Sequence, residues 1–153
     1  MRFSRVAVIR PFSEVLALPT TFERYRQIDQ ASYEHASMDA PASLIALAEE
    51  VTQRTLSPAS ARVLRMAPGD YILARHDEPH DDHRVEVMLD CSQIASGSEV
   101  RYQRAGTVFF IVPSQPQTAS VVERDPATLA YHTYISKLRT DVVQRLIIQL
   151  VDR

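Results

Sequence analysis

Apolar residues in this chain fall mostly in short alternating runs, and the texture of those runs divides it in two. Beyond Pro58, seven runs follow at close spacing, at 62–66, 71–75, 84–90, 99–103, 107–112, 119–123 and 129–136, separated by Pro, Gly, Asp or Ser. Short strands so spaced predict a sandwich or barrel, because alternating βαβ units need a helical crossover between strands. The first part of the chain reads differently. Residues 3–10 (FSRVAVIR) are a β-type run closed by Pro11, and 19–35 is polar with scattered apolar positions, expected to be helical in part. Residues 41–56 form the clearest helix, with Leu44, Leu47, Ala48 and Val51 on one stripe and Pro41 suited to the first turn. The last run, 140–151, carries Val142, Val143, Leu146, Ile147, Leu150 and Val151. It reads as an amphipathic helix with Thr140 as N-cap, with a strand as the alternative for so β-branched a segment. The expected layout is one domain: a helical N-terminal support (1–57), a β core (58–137) and a C-terminal amphipathic segment (138–153).

Composition narrows the class without choosing a function. A length of 153 residues suits one domain with a real core, and 45% hydrophobic with 24% charged residues is ordinary for a soluble globular protein. A net charge of −2 and the lack of any basic block give no pull toward nucleic acid. Cys91, the single cysteine, excludes an internal disulfide and a cysteine-built zinc site within one chain. No apolar run approaches membrane-spanning length and the first ten residues lack a signal-peptide core, so the expected location is cytoplasmic, with no membrane partner. The three glycines, Gly69, Gly97 and Gly106, form neither a Walker nor a dinucleotide pattern. The expected partners are a small-molecule or peptide substrate and, through the C-terminal apolar run, a homo- or hetero-oligomer.

Candidate chemistry concentrates between Gly69 and Leu89, GDYILARHDEPHDDHRVEVML, which holds three of the five histidines. His76 and Glu78, two apart on an extended backbone, point to the same side. A histidine and a carboxylate so placed supply two thirds of the two-histidine, one-carboxylate facial triad that holds non-haem iron(II). His80 and His83 read first as part of a solvated loop, and as alternative ligands beside His76. Arg62, Arg65, Arg84, Arg101 and Arg104 alternate along strands; Arg84 or Arg101 turned inward would hold a carboxylate. Cys91 reads as a small buried apolar residue, and Ser114 lacks a nucleophile elbow.

In order and spacing, RVLRMAPGDYILARHDE, RVEVMLD and GTVFFIVPS resemble the iron(II) and 2-oxoglutarate-dependent dioxygenases of the prolyl-hydroxylase type, over residues 41–137. The resemblance implies a double-stranded β-helix (jelly-roll) core with His76 as the first iron ligand and Glu78 as the carboxylate ligand, where most members have Asp. It implies a second histidine near 117–119, where this chain reads QTA, so that Gln117 or His132 would complete the metal site. It also implies an Arg on the last core strand for the far carboxylate of 2-oxoglutarate, in a segment compared with LAYHTYISK, where His132 stands instead. Three expectations follow: an atypical oxygenase hydroxylating a small molecule or peptide side chain, a non-catalytic jelly-roll binding module or structural partner, and a cupin-like ligand-binding protein.

Overall fold

The structure, a computed structural model, describes residues 6–26, 32–73, 80–135, 138 and 142–153. Ten strands and one helix run in the order β1 (Ala7–Pro11), β2 (Glu23–Arg26), β3 (Ser32–Ser37), α1 (Ala42–Thr52), β4 (Leu56–Met66), β5 (Arg84–Asp90), β6 (Val100–Arg104), β7 (Thr107–Val112), β8 (Thr118–Arg124), β9 (Thr128–His132) and β10 (Val143–Asp152). They form an antiparallel seven-stranded sheet, β1-β8-β5-β10-β4-β3-β2, and a three-stranded sheet, β7-β6-β9, to whose free edge Ile72 adds a bridge with His132. From β4 onward the chain alternates between the sheets: β4 large, Ile72 small, β5 large, β6 and β7 small, β8 large, β9 small, β10 large. That alternation is the winding expected of a jelly roll.

Period-two alternation decides which side chains face inward. On the large sheet, Leu64, Met66, Met88, Val122, Val143 and Ile147 meet Val100, Tyr102, Val112 and Ala130 of the small sheet in one core. The opposite face carries Val63, Val85, Val87, Leu89, Val121, Leu146, Ile148 and Leu150 under Leu44 and Ala48 of α1. Phe12, Leu16, Leu18 and Phe22 complete that cover. The central strands β5 and β10 are therefore buried on both sides, which explains their near-continuous apolar character.

Several expectations are corrected here. Among the described residues the N-terminal region holds one helix, α1, where several were expected. Within 19–35, the described residues form β2 and part of β3, paired as a hairpin in which Tyr25 faces Tyr33. The C-terminal run is a strand: β10 sits between β4 and β5, and Leu146 and Ile147 are buried on opposite faces. Burial on two faces overrides the helical spacing of its apolar residues. The Pro68-Gly69 pair that separates the runs at 62–66 and 71–75 forms a turn. Asp70 N–H donates to the Ala67 carbonyl at 3.0 Å, with Gly69 at φ 95° in the third turn position, a type II geometry that favours glycine.

Candidate functional site

One end of the space between the sheets is polar, and it is built on the large sheet. Register places Arg84 opposite Arg124, Glu86 opposite both Val122 and Gln149, Gln149 opposite Ser60, and Ile147 opposite Arg62. These positions share the inward face, so the charges converge at the mouth of the roll. Glu86, 4% exposed, gathers three donors. Oε1 accepts from Arg124 Nη1 at 2.8 Å and Gln149 Nε2 at 2.6 Å, and Oε2 accepts from the Tyr102 hydroxyl. Arg124, 2% exposed, also donates to the Thr128 carbonyl at 2.9 Å. The Arg124–Glu86 pair is thus neutral and amply hydrogen-bonded, the condition under which a buried ion pair is tolerated.

Above this network lies a pocket of about 40 Å³ lined by Ser60, Arg62, His80, Arg84, Arg124, Ile147 and Gln149. Arg84 donates through Nε to Asp82 Oδ1 at 2.7 Å, and that contact holds the Asp82 carboxyl below its usual range. Arg62 differs from its two neighbours. Its hydrogen bond goes to the Tyr33 hydroxyl at 3.4 Å, with its guanidinium 6.0 Å from the ring centre, and among the described residues no carboxylate is paired with it. Among the described residues the pocket therefore keeps one guanidinium that no carboxylate compensates. A neighbouring pocket around Arg54 lacks that property, because Arg54 is matched by Glu123 at 3.3 Å and Asp152 at 3.1 Å.

His80 lies in the wall of the pocket with its side chain 4% exposed. Nδ1 is 2.8 Å from the Asp82 carbonyl, an atom that only accepts, so Nδ1 carries the hydrogen and Nε2 of the neutral ring bears a lone pair. That Nε2 is buried without a hydrogen-bond partner. Gln149 Oε1 is in the same condition. The carboxylate of Glu86 fixes the orientation of that amide, since it can accept only from the NH2 side.

The other end of the interior is organised by Arg145 on β10, 2% exposed and opposite Asp90 of β5. It donates from Nη1 to His132 Nδ1 at 2.9 Å and from Nη2 to the Ser98 carbonyl at 3.0 Å. Asp90 supplies the nearest compensating charge without a direct pair. Its two carboxylate oxygens accept from the backbone of Ser92 and Gln115 at 3.0 and 2.9 Å. Burial lowers the Arg145 pKa to about 10. His132, buried in β9 and locked by backbone bonds with Ile72, is held well below its usual pKa by burial and then by Arg145 and Arg62.

The expected site residues separate accordingly. His76 and Glu78 lie outside the described residues. Gln117 is exposed at φ 59° in the turn before β8, where its N–H donates to the Asp90 carbonyl and its carbonyl accepts from Phe12. Arg101 lies on the outer face of the small sheet, bonded to Glu99 at 2.6 Å, whereas Arg84 reaches the mouth. His132 faces inward but has no lone pair to give: a guanidinium only donates, so Nδ1 is the acceptor and Nε2 carries the hydrogen. Residues of the site that pattern reading missed are Glu86, Arg124, Arg145 and Gln149. Their signal was a charged or amide residue on the inward face of an otherwise apolar run, as Arg145 and Gln149 are beside Val143 and Ile147.

Iron(II) in a two-histidine, one-carboxylate centre needs lone pairs from three side chains. Neither His132 nor Gln117 meets that need as placed, and among the described residues no group of three or more His, Cys, Asp or Glu is gathered for a metal. The lone pair of His80 stands among three guanidiniums, which disfavour a cation. The described residues do not fit the group.

Three solved structures share this fold. An oxidoreductase described as a 2OG-Fe(II) oxygenase family protein from Burkholderia pseudomallei has a TM-score of 0.63 at 10% identity, covering 87% of this chain and 73% of that one. The epimerase SnoN, described as non-heme and alpha ketoglutarate dependent, from nogalamycin biosynthesis, has a TM-score of 0.58 at 9% identity, covering 86% and 67%. The carbocyclase SnoK, described as non-heme and alpha ketoglutarate dependent, from the same biosynthesis, has 0.56 at 11%, covering 86% and 70%. At such identities the likeness is one of fold. No protein-family model matches the chain, and no curated protein matches it in sequence. Among the described residues, no helix is long and apolar enough to cross a membrane.

Proposed function

We propose that this chain is a degenerate oxygenase-like jelly roll that binds a small organic anion at the mouth of the roll instead of hydroxylating it through iron(II) and 2-oxoglutarate. The observation that supports this is Arg62, a guanidinium in the wall of a small pocket, flanked by two further guanidiniums that carboxylates already neutralise, while it has none among the described residues. A planar guanidinium offers a carboxylate two parallel N–H bonds, and partial enclosure strengthens them over a surface contact. The polar network beneath holds the walls in place and leaves the anion to supply the missing charge. His76 and Glu78 are retained from the oxygenase pattern without a described third donor.

The test is a titration of the metal-free chain with acetate, followed by NMR. The reading expects saturable shifts at the mouth, weakened at least about tenfold by Arg62→Gln, since a charge-assisted bond contributes about 1.5–3 kcal/mol. Arg101→Gln, on the outer face, leaves the affinity unchanged. Absence of saturable binding, or equal loss in the two variants, defeats the reading.

A further inference from the structure

The mouth pocket carries more than positive charge, because two of its lining residues, Gln149 and His80, each hold a buried acceptor, Oε1 and Nε2, with no donor among the described residues. Their orientations are fixed from behind, the amide by Glu86 and the imidazole by the Asp82 carbonyl. A buried acceptor without a partner is costly, so a ligand that brings a donor gains more there than one that does not. Arg62 and the remaining N–H groups of Arg84 meanwhile call for oxyanion oxygens. The volume, about 40 Å³, holds a head group of about three water-sized units, not a whole metabolite.

We infer that the pocket recognises the head of an α-hydroxy acid, with the carboxylate on Arg62 and Arg84 and the adjacent hydroxyl directed at Gln149 Oε1 or His80 Nε2. A neutral hydroxyl donates to one of the two orphan acceptors without bringing a further positive charge beside the guanidiniums, which sets it apart from the ammonium of an amino acid. This inference rests on the anion-binding reading and names the ligand class of that same site.

Calorimetry on the full metal-free chain, with chelator present, separates the two. Glycolate, acetate, glycine and inorganic phosphate are the probes. Glycolate should bind at least about fivefold more tightly than acetate, the worth of one further neutral hydrogen bond, and more tightly than glycine. The ratio of glycolate to acetate affinity should shrink toward unity in Gln149→Leu or in His80→Phe, whatever the affinity for acetate itself. His80 belongs to no strand, so its variant keeps the test open if the change in β10 unfolds the chain. Equal binding of glycolate and acetate, both weakened by Arg62→Gln, overturns the hydroxy-acid inference and leaves the anion reading intact. Tighter binding of phosphate than of glycolate overturns the carboxylate assignment. Failure of every probe removes both.

Discussion

Arg145 donates to Nδ1 of His132 across the two sheets at 2.9 Å, so a buried cation is solvated by a neutral imidazole. The contact ties the last strand of the large sheet to the strand that pairs with Ile72, and it fixes the tautomer of His132. Protonating His132 would place two positive charges in contact in the core, which is why its pKa lies well below the ordinary 6.5.

Stability should therefore fall with pH through this residue. The unfolded chain takes up a proton at His132 near 6.5 and the folded chain does not, so the unfolded state binds more protons as the pH drops and is favoured. The loss begins around the unfolded value and grows by up to about 1.4 kcal/mol per pH unit below it. Urea denaturation at about pH 7.5 and about pH 5.5 should show a smaller acid loss in His132→Gln than in the unmodified chain, by about 1 kcal/mol. Equal losses would mean that the imidazole is protonated in place.

Glu86 is the keystone of the mouth network. Glu86→Gln removes the carboxylate charge facing buried Arg124 and should cost about 3–5 kcal/mol in denaturant unfolding, as expected for breaking one side of a buried pair. Tyr102→Phe removes one donor to the same carboxylate and should cost about 1–2 kcal/mol. The reverse order of cost would show that the ion pair contributes less than the hydroxyl.

Legibility in the sequence followed burial. The run at 84–90 and the Pro68-Gly69 turn could be read directly, because β5 has apolar residues on both faces and a type II turn has a strong residue requirement. The last run could not. Val142, Leu146 and Leu150 suit a helix spacing, and only the neighbours β4 and β5 show that Leu146 and Ile147 are buried in different cores. With that run taken as a helix, the last core strand was sought at 129–136 and His132 was set where the inward arginine was expected. The structure gives the last core strand to β10, and its inward arginine is Arg145. The mouth site was legible in Arg84 and His80 alone, because Arg62, Gln149 and Arg124 come together through pairings between distant strands that no local pattern encodes.

The two-sided burial of β10 has a mutational signature. Leu146→Ala and Ile147→Ala should each destabilise by about 2–5 kcal/mol, and their effects should add, since they open cavities in separate cores. Thermal denaturation of the two single variants and the double variant checks this. An Ile147→Ala change without cost would place only one face of the strand in a core.

Iron(II) added to the metal-free chain with 2-oxoglutarate should produce no visible charge-transfer band, because His132 offers no lone pair and Gln117 is exposed in a turn. His132→Ala should leave iron affinity unchanged. A band at low iron concentration, lost in His76→Ala, would show that a third donor reaches the metal and would overturn the binding-module reading.

Cys91 follows β5, half-buried against the α1-covered core, and burial pushes its thiol from 9.0 up to about 11. Only the thiolate reacts with alkylating agents, and a rise of about two units cuts its population about 100-fold at neutral to mildly basic pH. Iodoacetamide at about pH 8 should therefore label the folded chain slowly and the urea-unfolded chain fast. Because labelling then reports opening of the sheet around β5, Leu146→Ala should accelerate it in proportion to the stability lost, provided that opening and closing are fast compared with alkylation. Mass spectrometry of timed samples gives the rate, and rapid labelling of the stable, folded chain would show that the thiol is neither shielded nor raised.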